Sequence, residues 1–316
     1  METAKVLATT KMKGLAEAIV MALSGEYNIT LGKSTNAVFS DGECAPQIEE
    51  SVRGQKVFII GSTNNSEIME TLLTIDAAKR AAAESIVIVL PYYGYARQDR
   101  KDGIRGPVGA KVVADLLQAA GANEIISIDL HAAQIQGFFN IPFDHIEGHA
   151  IFSKKLKALV EGCVSEEFVV CTPDQGGFQR ASKMAEKLNL SMVAINKHRD
   201  KPNSIGSMEL IGDVKGKHVI IVDDMCDTAG TLCKAADYLI EQGATFVTAV
   251  CTHPVLSGPA LQRIKDCDGL TTMLVSDTIV KTDSLPSKII TVSCAHMLAK
   301  VISRIVTKQS INEVAA

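Results

Sequence analysis

Short apolar runs rich in β-branched residues recur along the chain at 57–60, 86–90, 125–128, 168–170, 219–222 and 246–250. Runs of this length predict buried strands, and the stretches between them carry apolar residues at helical spacing. Strands that alternate with helices build a parallel sheet, because each crossover needs a dozen or more residues and a helix supplies them. Helices then cover both faces of the sheet, so the strand runs are continuous rather than alternating. The clearest helix spans 231–242, with Gly243 where a C-terminal glycine belongs. The predicted class is α/β, with central parallel sheets flanked by helices.

Shifted by 122 residues, the chain matches itself. Ala114, Asp115, Leu117, Gly121, Ala122 and His131 fall on Ala236, Asp237, Leu239, Gly243, Ala244 and His253, six identities in eighteen positions. An internal repeat of this kind points to duplication. The match breaks between strand and helix, where 24 residues separate Leu90 from Ala114 but only 14 separate Val222 from Ala236. The short loop is acidic (Asp223, Asp224, Asp227) and the long one basic (Arg97, Arg100, Lys101, Arg105). Acidic groups at a strand end suit a metal or sugar hydroxyls, and a basic loop suits a polyphosphate. Both patterns also occur in ordinary solvated loops.

The 316 residues are enough for about two domains of the usual ~150 residues. With 47% hydrophobic and 22% charged residues the composition is that of a soluble globular protein, which excludes wholesale disorder and collagen-like repeats. Lys and Arg total 32 against 36 Asp and Glu, a net charge of -4. No basic field is available for nucleic acid or an anionic membrane, so neither is expected as a partner, and any phosphate is handled locally. Eight scattered cysteines without a C-x-x-C pair suit a reducing compartment, and the cytoplasm is expected. No apolar run reaches the ~18 residues of a membrane span, and 14–24 carries Glu17, so it reads as an amphipathic helix rather than a signal sequence.

The strongest chemical signal is VIIVDDMCDTAGT at 219–231, a strand run ending in two carboxylates, followed by a turn of small residues into a helix. Small residues let backbone N–H groups converge on a phosphate at a helix N-terminus, where Thr228 and Thr231 add hydroxyls. The lysine of a P-loop and the glycine pattern of a dinucleotide fold are both missing. The run resembles the phosphoribosyl-diphosphate signature of type I phosphoribosyltransferases. FSDGE at 39–43, PYYGYARQDRK at 91–101, DLHAAQIQGFF at 129–139 and THPVLSGP at 252–259 are more specific, and all resemble the ribose-phosphate pyrophosphokinase family. The resemblance runs from about Phe39 to Ser310.

That resemblance implies two similar phosphoribosyltransferase-like α/β domains. They are expected at 1–149, with the ATP-site loops, and 150–303, with the ribose 5-phosphate site; a tail, 304–316, packs back on the first. The family moves the β,γ-diphosphoryl group of MgATP to the anomeric hydroxyl of ribose 5-phosphate, giving 5-phosphoribosyl 1-diphosphate (PRPP) and AMP. By the same resemblance Asp227, Thr228, Ala229, Gly230 and Thr231 hold the 5-phosphate, and Asp223 and Asp224 the ribose hydroxyls. Phe39, Asp41, Gly42, Glu43, Arg97 and Gln98 bind ATP. His131 and Asp174 match the magnesium site, although an imidazole is an unusual direct ligand for that ion. Lys197 and Arg199, with Arg199 also at the sugar phosphate, stand at the family's catalytic cations on a mobile loop. Two cations at i and i+2 of an extended segment point to one side. Family members build the ATP site across a subunit boundary, which implies a homo-oligomer, a hexamer by resemblance.

The chain departs from the family pattern in places. The stretch 61–70 is shorter than usual and Gly61 replaces a glutamine; His198 replaces a basic residue; Gly106 and Gly109 loosen the end of the basic loop; 311–316 lacks an aromatic finish. Cys226, within the phosphate turn, reads as a small filler. Two rivals remain open on the residues alone. A phosphoribosyltransferase needs only 223–231 and has no use for the Phe39, Arg97 and His131 motifs. A non-catalytic paralogue would have lost Lys197, Arg199 or the phosphate turn.

Overall fold

The computed structural model describes residues 3–23, 28–101, 103–161, 167–198, 207–281 and 283–315. The chain divides into two compact units, Met1–Glu147 with Cys294–Ala316, and Gly148–Ser293.

The first unit runs β1 (Ala4–Ala8), α1 (Lys13–Leu23), β2 (Ile29–Leu31), β3 (Ser34–Val38), β4 (Cys44–Ile48), β5 (Lys56–Ile60), α2 (Ile68–Arg80), β6 (Ser85–Leu90), α3 (Gly109–Ala120), β7 (Glu124–Ile128) and β8 (Phe143–Ile146). Its sheet has the order β2-β1-β5-β6-β7-β8 with every neighbouring pair parallel. Strands β3 and β4 form a separate antiparallel hairpin. Val57, Phe58, Ile59 and Ile60 are all fully buried, so both faces of β5 are covered, which its unbroken apolar run requires. Each such side chain contributes roughly 1.5–3 kcal/mol by leaving water.

The second unit contains α4 (His149–Val160), β9 (Phe168–Thr172), α5 (Phe178–Leu188), β10 (Ser191–His198), β11 (Ser207–Ile211), β12 (His218–Cys226), α6 (Gly230–Glu241), β13 (Phe246–Pro254), α7 (Ala260–Asp266), β14 (Thr272–Ser276) and β15 (Ile289–Val292). Its sheet order is β11-β10-β9-β12-β13-β14-β15, parallel except for the β10–β11 pair. The run β5-β6-β7-β8 of the first sheet has its counterpart in β9-β12-β13-β14 of the second. The duplication read from six identities is thus written in the topology.

Both boundaries differ from the sequence reading, the first by two residues, falling between Glu147 and Gly148. The second falls between Ser293 and Cys294 rather than at 303/304, because α8 (Ala295–Val306) belongs to the first unit. It packs on α1, and both helices bury an apolar face: Leu298, Val301 and Ile302 on one, Leu15, Ala16 and Ile19 on the other. A short helix, α9 (Asn312–Ala315), follows. Among the described residues no helix is long and apolar enough to cross a membrane.

Candidate active site

In the second sheet β9 and β12 are neighbours, yet the chain leaves them in opposite directions, through β10 and β11 on one side and β13 to β15 on the other. Open α/β sheets bind ligands at the carboxyl ends of strands at such a switch point. Asp174 lies two residues beyond the end of β9, and Asp223 and Asp224 lie near the end of β12.

The two aspartates are strand residues, which corrects their placement in a loop. The apolar run stops at Val222, but β13 is long enough to carry β12 on to Cys226, pairing Asp223 with Cys251, Met225 with His253 and Cys226 with Pro254. Burial holds the Asp223 carboxyl well above the usual carboxylate range, and the charges of Asp224 and Asp174 add to it while Arg180 opposes them. Asp224 is buried, its backbone N–H donates to Asp223 Oδ1 at 2.9 Å, and Arg180 Nη1 on α5 lies 3.4 Å from its Oδ1. Arg180 belongs to no motif, so nothing in the sequence marked it; the packing of α5 against β12 brings it there. Asp174 is fixed by its own turn, its Oδ1 accepting from the Gly177 N–H at 3.1 Å and its carbonyl from Thr172 Oγ1 at 2.6 Å.

After β12 the chain turns through Asp227, Thr228 and Ala229 into α6. Ala229 is left-handed, with φ of +59°, and its carbonyl accepts the first intrahelical bond, from the Cys233 N–H at 3.0 Å. The amides of residues 230–232 precede that bond and are the donors a helix N-terminus offers an anion. Thr228 and Thr231 are exposed on this turn. The Asp227 carboxylate is turned toward the loop after β13, where Ser257 Oγ donates to it, and the Ser257 N–H donates to its carbonyl at 3.0 Å. Burial first, then the charge of Asp223, pushes the Cys226 thiol up to about 12, so it stays protonated and suits a filler role.

The repeated histidines diverge. His253 is buried in β13 with Nδ1 3.0 Å from Thr278 Oγ1, a packed residue, whereas His131 is exposed just beyond β7. Lys197 lies in β10, opposite Met208 of β11, and so stands on a strand rather than in a loop. Arg199 lies outside the described residues.

In the first unit Phe39, Asp41, Gly42 and Glu43 form the tip of the β3–β4 hairpin. The Phe39 N–H donates to the Glu43 carbonyl at 2.8 Å, and the Glu43 N–H to Asp41 Oδ1 at 3.0 Å. Asp41, Gly42 and Glu43 line a cavity of about 840 Å³ between the hairpin and α2, closed by Glu67, Met69 and Leu73. The Phe39 ring is 58% exposed. Arg97 and Gln98 are exposed in the turn after β6, anchored where the Gln98 N–H donates to the Tyr95 carbonyl at 2.9 Å and the Gln98 carbonyl accepts from the Ala110 N–H at 3.1 Å.

Two glycines that depart from the family pattern prove to be close approaches. A Cβ on Gly109 would stand 2.5 Å from Gln98 Oε1, the end of an exposed side chain. A Cβ on Gly61 would meet Thr71 Cγ2 at 2.9 Å. Beside it, Thr71 Oγ1 on α2 accepts from the Ser62 N–H and donates to the Ser62 carbonyl.

Comparison with known proteins agrees with this anatomy. A family model described as the N-terminal domain of ribose phosphate pyrophosphokinase matches residues 4–121, and a phosphoribosyl transferase domain model matches 143–288. The chain is 48% identical to ribose-phosphate pyrophosphokinase 1 of Streptococcus pyogenes serotype M3, over 98% of its own length and 96% of the relative's. It is 47% identical to the protein of that name from Streptococcus pneumoniae serotype 4, over 98% and 95%. The crystal structure of phosphoribosylpyrophosphate synthetase from Mycobacterium smegmatis superposes with a TM-score of 0.88 at 36% identity, covering 97% of this chain and 100% of that one. On the two matched domains and this near-complete similarity, the chain belongs to the ribose-phosphate pyrophosphokinase family.

Proposed function

We infer that the chain is a ribose-phosphate pyrophosphokinase, transferring the β,γ-diphosphoryl group of ATP to the C1 hydroxyl of ribose 5-phosphate to give PRPP and AMP for nucleotide biosynthesis. The observation that carries this reading is similarity over 98% of the chain to curated proteins of that name. The turn 227–231 receives the 5-phosphate on the amides at the start of α6 and on the Thr228 and Thr231 hydroxyls. Asp223 and Asp224 accept hydrogen bonds from the ribose hydroxyls, donors that relieve the crowding of negative charge around Asp223.

The hairpin of the first unit takes the nucleotide. The exposed Phe39 ring stacks on adenine, Asp41 accepts from its amino group, and Gly42, Glu43, Arg97 and Gln98 complete the site. A hairpin tip this exposed gains burial against a second copy of the chain, which supports a homo-oligomer, a hexamer in line with the family. Lys197 and Arg199 align the C1 hydroxyl with the β-phosphorus and meet the charge that grows on the transferred oxygens.

The residues present fit magnesium. That ion prefers oxygen, keeps several waters and is held by one or two carboxylates together with substrate phosphates. Among the described residues no group of three or more His, Cys, Asp or Glu could hold a metal alone, while Asp174 adds to the negative charge around Asp223. Asp174 is the second unit's candidate to hold the ion and His131 the first unit's; when bound, the ion would neutralise the polyphosphate. A phosphorus NMR time course with ATP, magnesium and ribose 5-phosphate tests the reading. AMP and PRPP should appear in equal amounts, and formation of ADP would refute it.

A further inference from the structure

The phosphate turn has two features that work against an anion site: a carboxylate, Asp227, at its entrance, and a non-glycine residue, Ala229, held left-handed at a cost of roughly 1 kcal/mol. Both are answered from outside the motif. Arg263, on α7, donates from Nη1 to the Thr228 carbonyl at 3.0 Å. A Cβ placed on Gly230 would stand 3.3 Å from the same nitrogen, so the guanidinium lies close against the turn. The N–H of that peptide, on Ala229, faces the Cys226 sulfur. A planar trans peptide has its C=O and N–H on opposite sides, so a partner at each end fixes the plane. With the plane fixed, Ala229 keeps its kink and the amides of 230–232 keep their aim.

Lys281 closes the same bracket. Its ammonium donates to the Val255 carbonyl and lies close enough to Asp227 and Asp283 to be attracted by both. Next to Val255, the Leu256 N–H donates to the Cys226 carbonyl at 2.9 Å, and Ser257 holds Asp227. We propose that Arg263 and Lys281 are positioning residues of the sugar-phosphate site: Arg263 sets the Thr228–Ala229 peptide, and Lys281 fixes the 255–257 segment and offsets the charge of Asp227. This rests on the reading of 227–231 as the 5-phosphate turn.

The 5-phosphate is remote from the reacting C1, so its binding energy is shared by ground and transition states, and loss of it raises KM with little change in kcat. Arg263→Ala should raise the KM for ribose 5-phosphate about tenfold, the loss of one hydrogen bond to a charged group. KM for ATP should stay at the wild-type value, and kcat within about twofold. Arg263→Lys, which can still donate to the Thr228 carbonyl, should recover part of the loss, and Lys281→Ala should show the same split at about threefold. A fall in kcat with KM unchanged, equal rises in both KM values, or a lysine variant as impaired as the alanine one would overturn the proposal. Wild-type enzyme in the same assay separates the two claims. An active wild type beside an Arg263→Ala enzyme of normal KM defeats the proposal alone; a wild type that forms no AMP defeats the functional reading and the proposal with it.

Discussion

Phosphoryl transfer leaves side chains little covalent work, so at the scale of single residues the weight falls on cations that meet charge as it develops. In the functional reading proposed above Lys197 has that role, and its backbone lies near the end of β10, opposite Met208 of β11. A contact that strengthens mainly in the transition state contributes to turnover and little to ground-state affinity. Lys197→Ala should therefore lower kcat by about 10²–10³-fold while the Kd for ATP, measured by calorimetry, moves less than about threefold. Equal losses in both quantities would reassign Lys197 to substrate binding.

Between elements, the first sheet carries a strained edge. Glu124 opens β7 and Asp144 lies on the edge strand β8, opposite Ile126, so the two carboxyls share a face. Burial, then the charge of Asp144 and a hydrogen bond to it, pushes the Glu124 carboxyl up to about 7, while Lys56 opposes the shift; burial also raises Asp144. A carboxyl whose folded pKa exceeds its unfolded value of 4.5 binds more protons in the native state between the two. Its stabilisation is complete below about pH 4.5 and is lost as pH rises through about 7. Urea titrations should show stability falling across this window. Glu124→Gln should flatten the fall and be more stable at pH 8 by about 1 kcal/mol, a figure reduced for solvent screening. The same slope in the variant would place its origin elsewhere.

Elements of this kind also show what the sequence could and could not reveal. The buried central strands were legible because burial on both faces forces continuous apolar runs. Helix α6, which spans Gly230–Glu241, lies one residue from its expected place. The hairpin strand β3, Ser-Thr-Asn-Ala-Val, is half-polar and largely exposed, so no hydrophobic period marks it, and only the family motif at its tip drew attention. The end of β12 was missed for a different reason: aspartates are poor strand formers, and tertiary pairing with β13 overrides that preference. Arg180 and Arg263 were invisible because each reaches its partner across more than 30 residues of sequence, and Ser257, although inside the 252–259 motif, gave no sign of its bond to Asp227, 30 residues away. The histidine repeat shows the converse, since identical positions gave one exposed residue and one packed in the core.

For the molecule as a whole, duplication explains how one chain handles two substrates. Each unit presents residues at the carboxyl ends of its parallel strands: after the second shared strand the first unit has a long basic loop, while in the second unit Asp223 and Asp224 stand on the strand end itself and a short turn follows with Asp227. In the functional reading proposed above, the first copy serves the polyphosphate and the second the phosphosugar. The return of α8 to the first unit means the chain crosses between units twice, so truncation at 293 would strip α1 of its partner helix. The central claim is that a diphosphoryl unit moves intact, and ATP labelled with radioactive phosphorus at the β position tests it most directly. With magnesium and ribose 5-phosphate, the label should pass entirely into PRPP and leave AMP unlabelled. Label recovered in ADP would mean that only the γ-phosphoryl group is transferred, and would contradict the account.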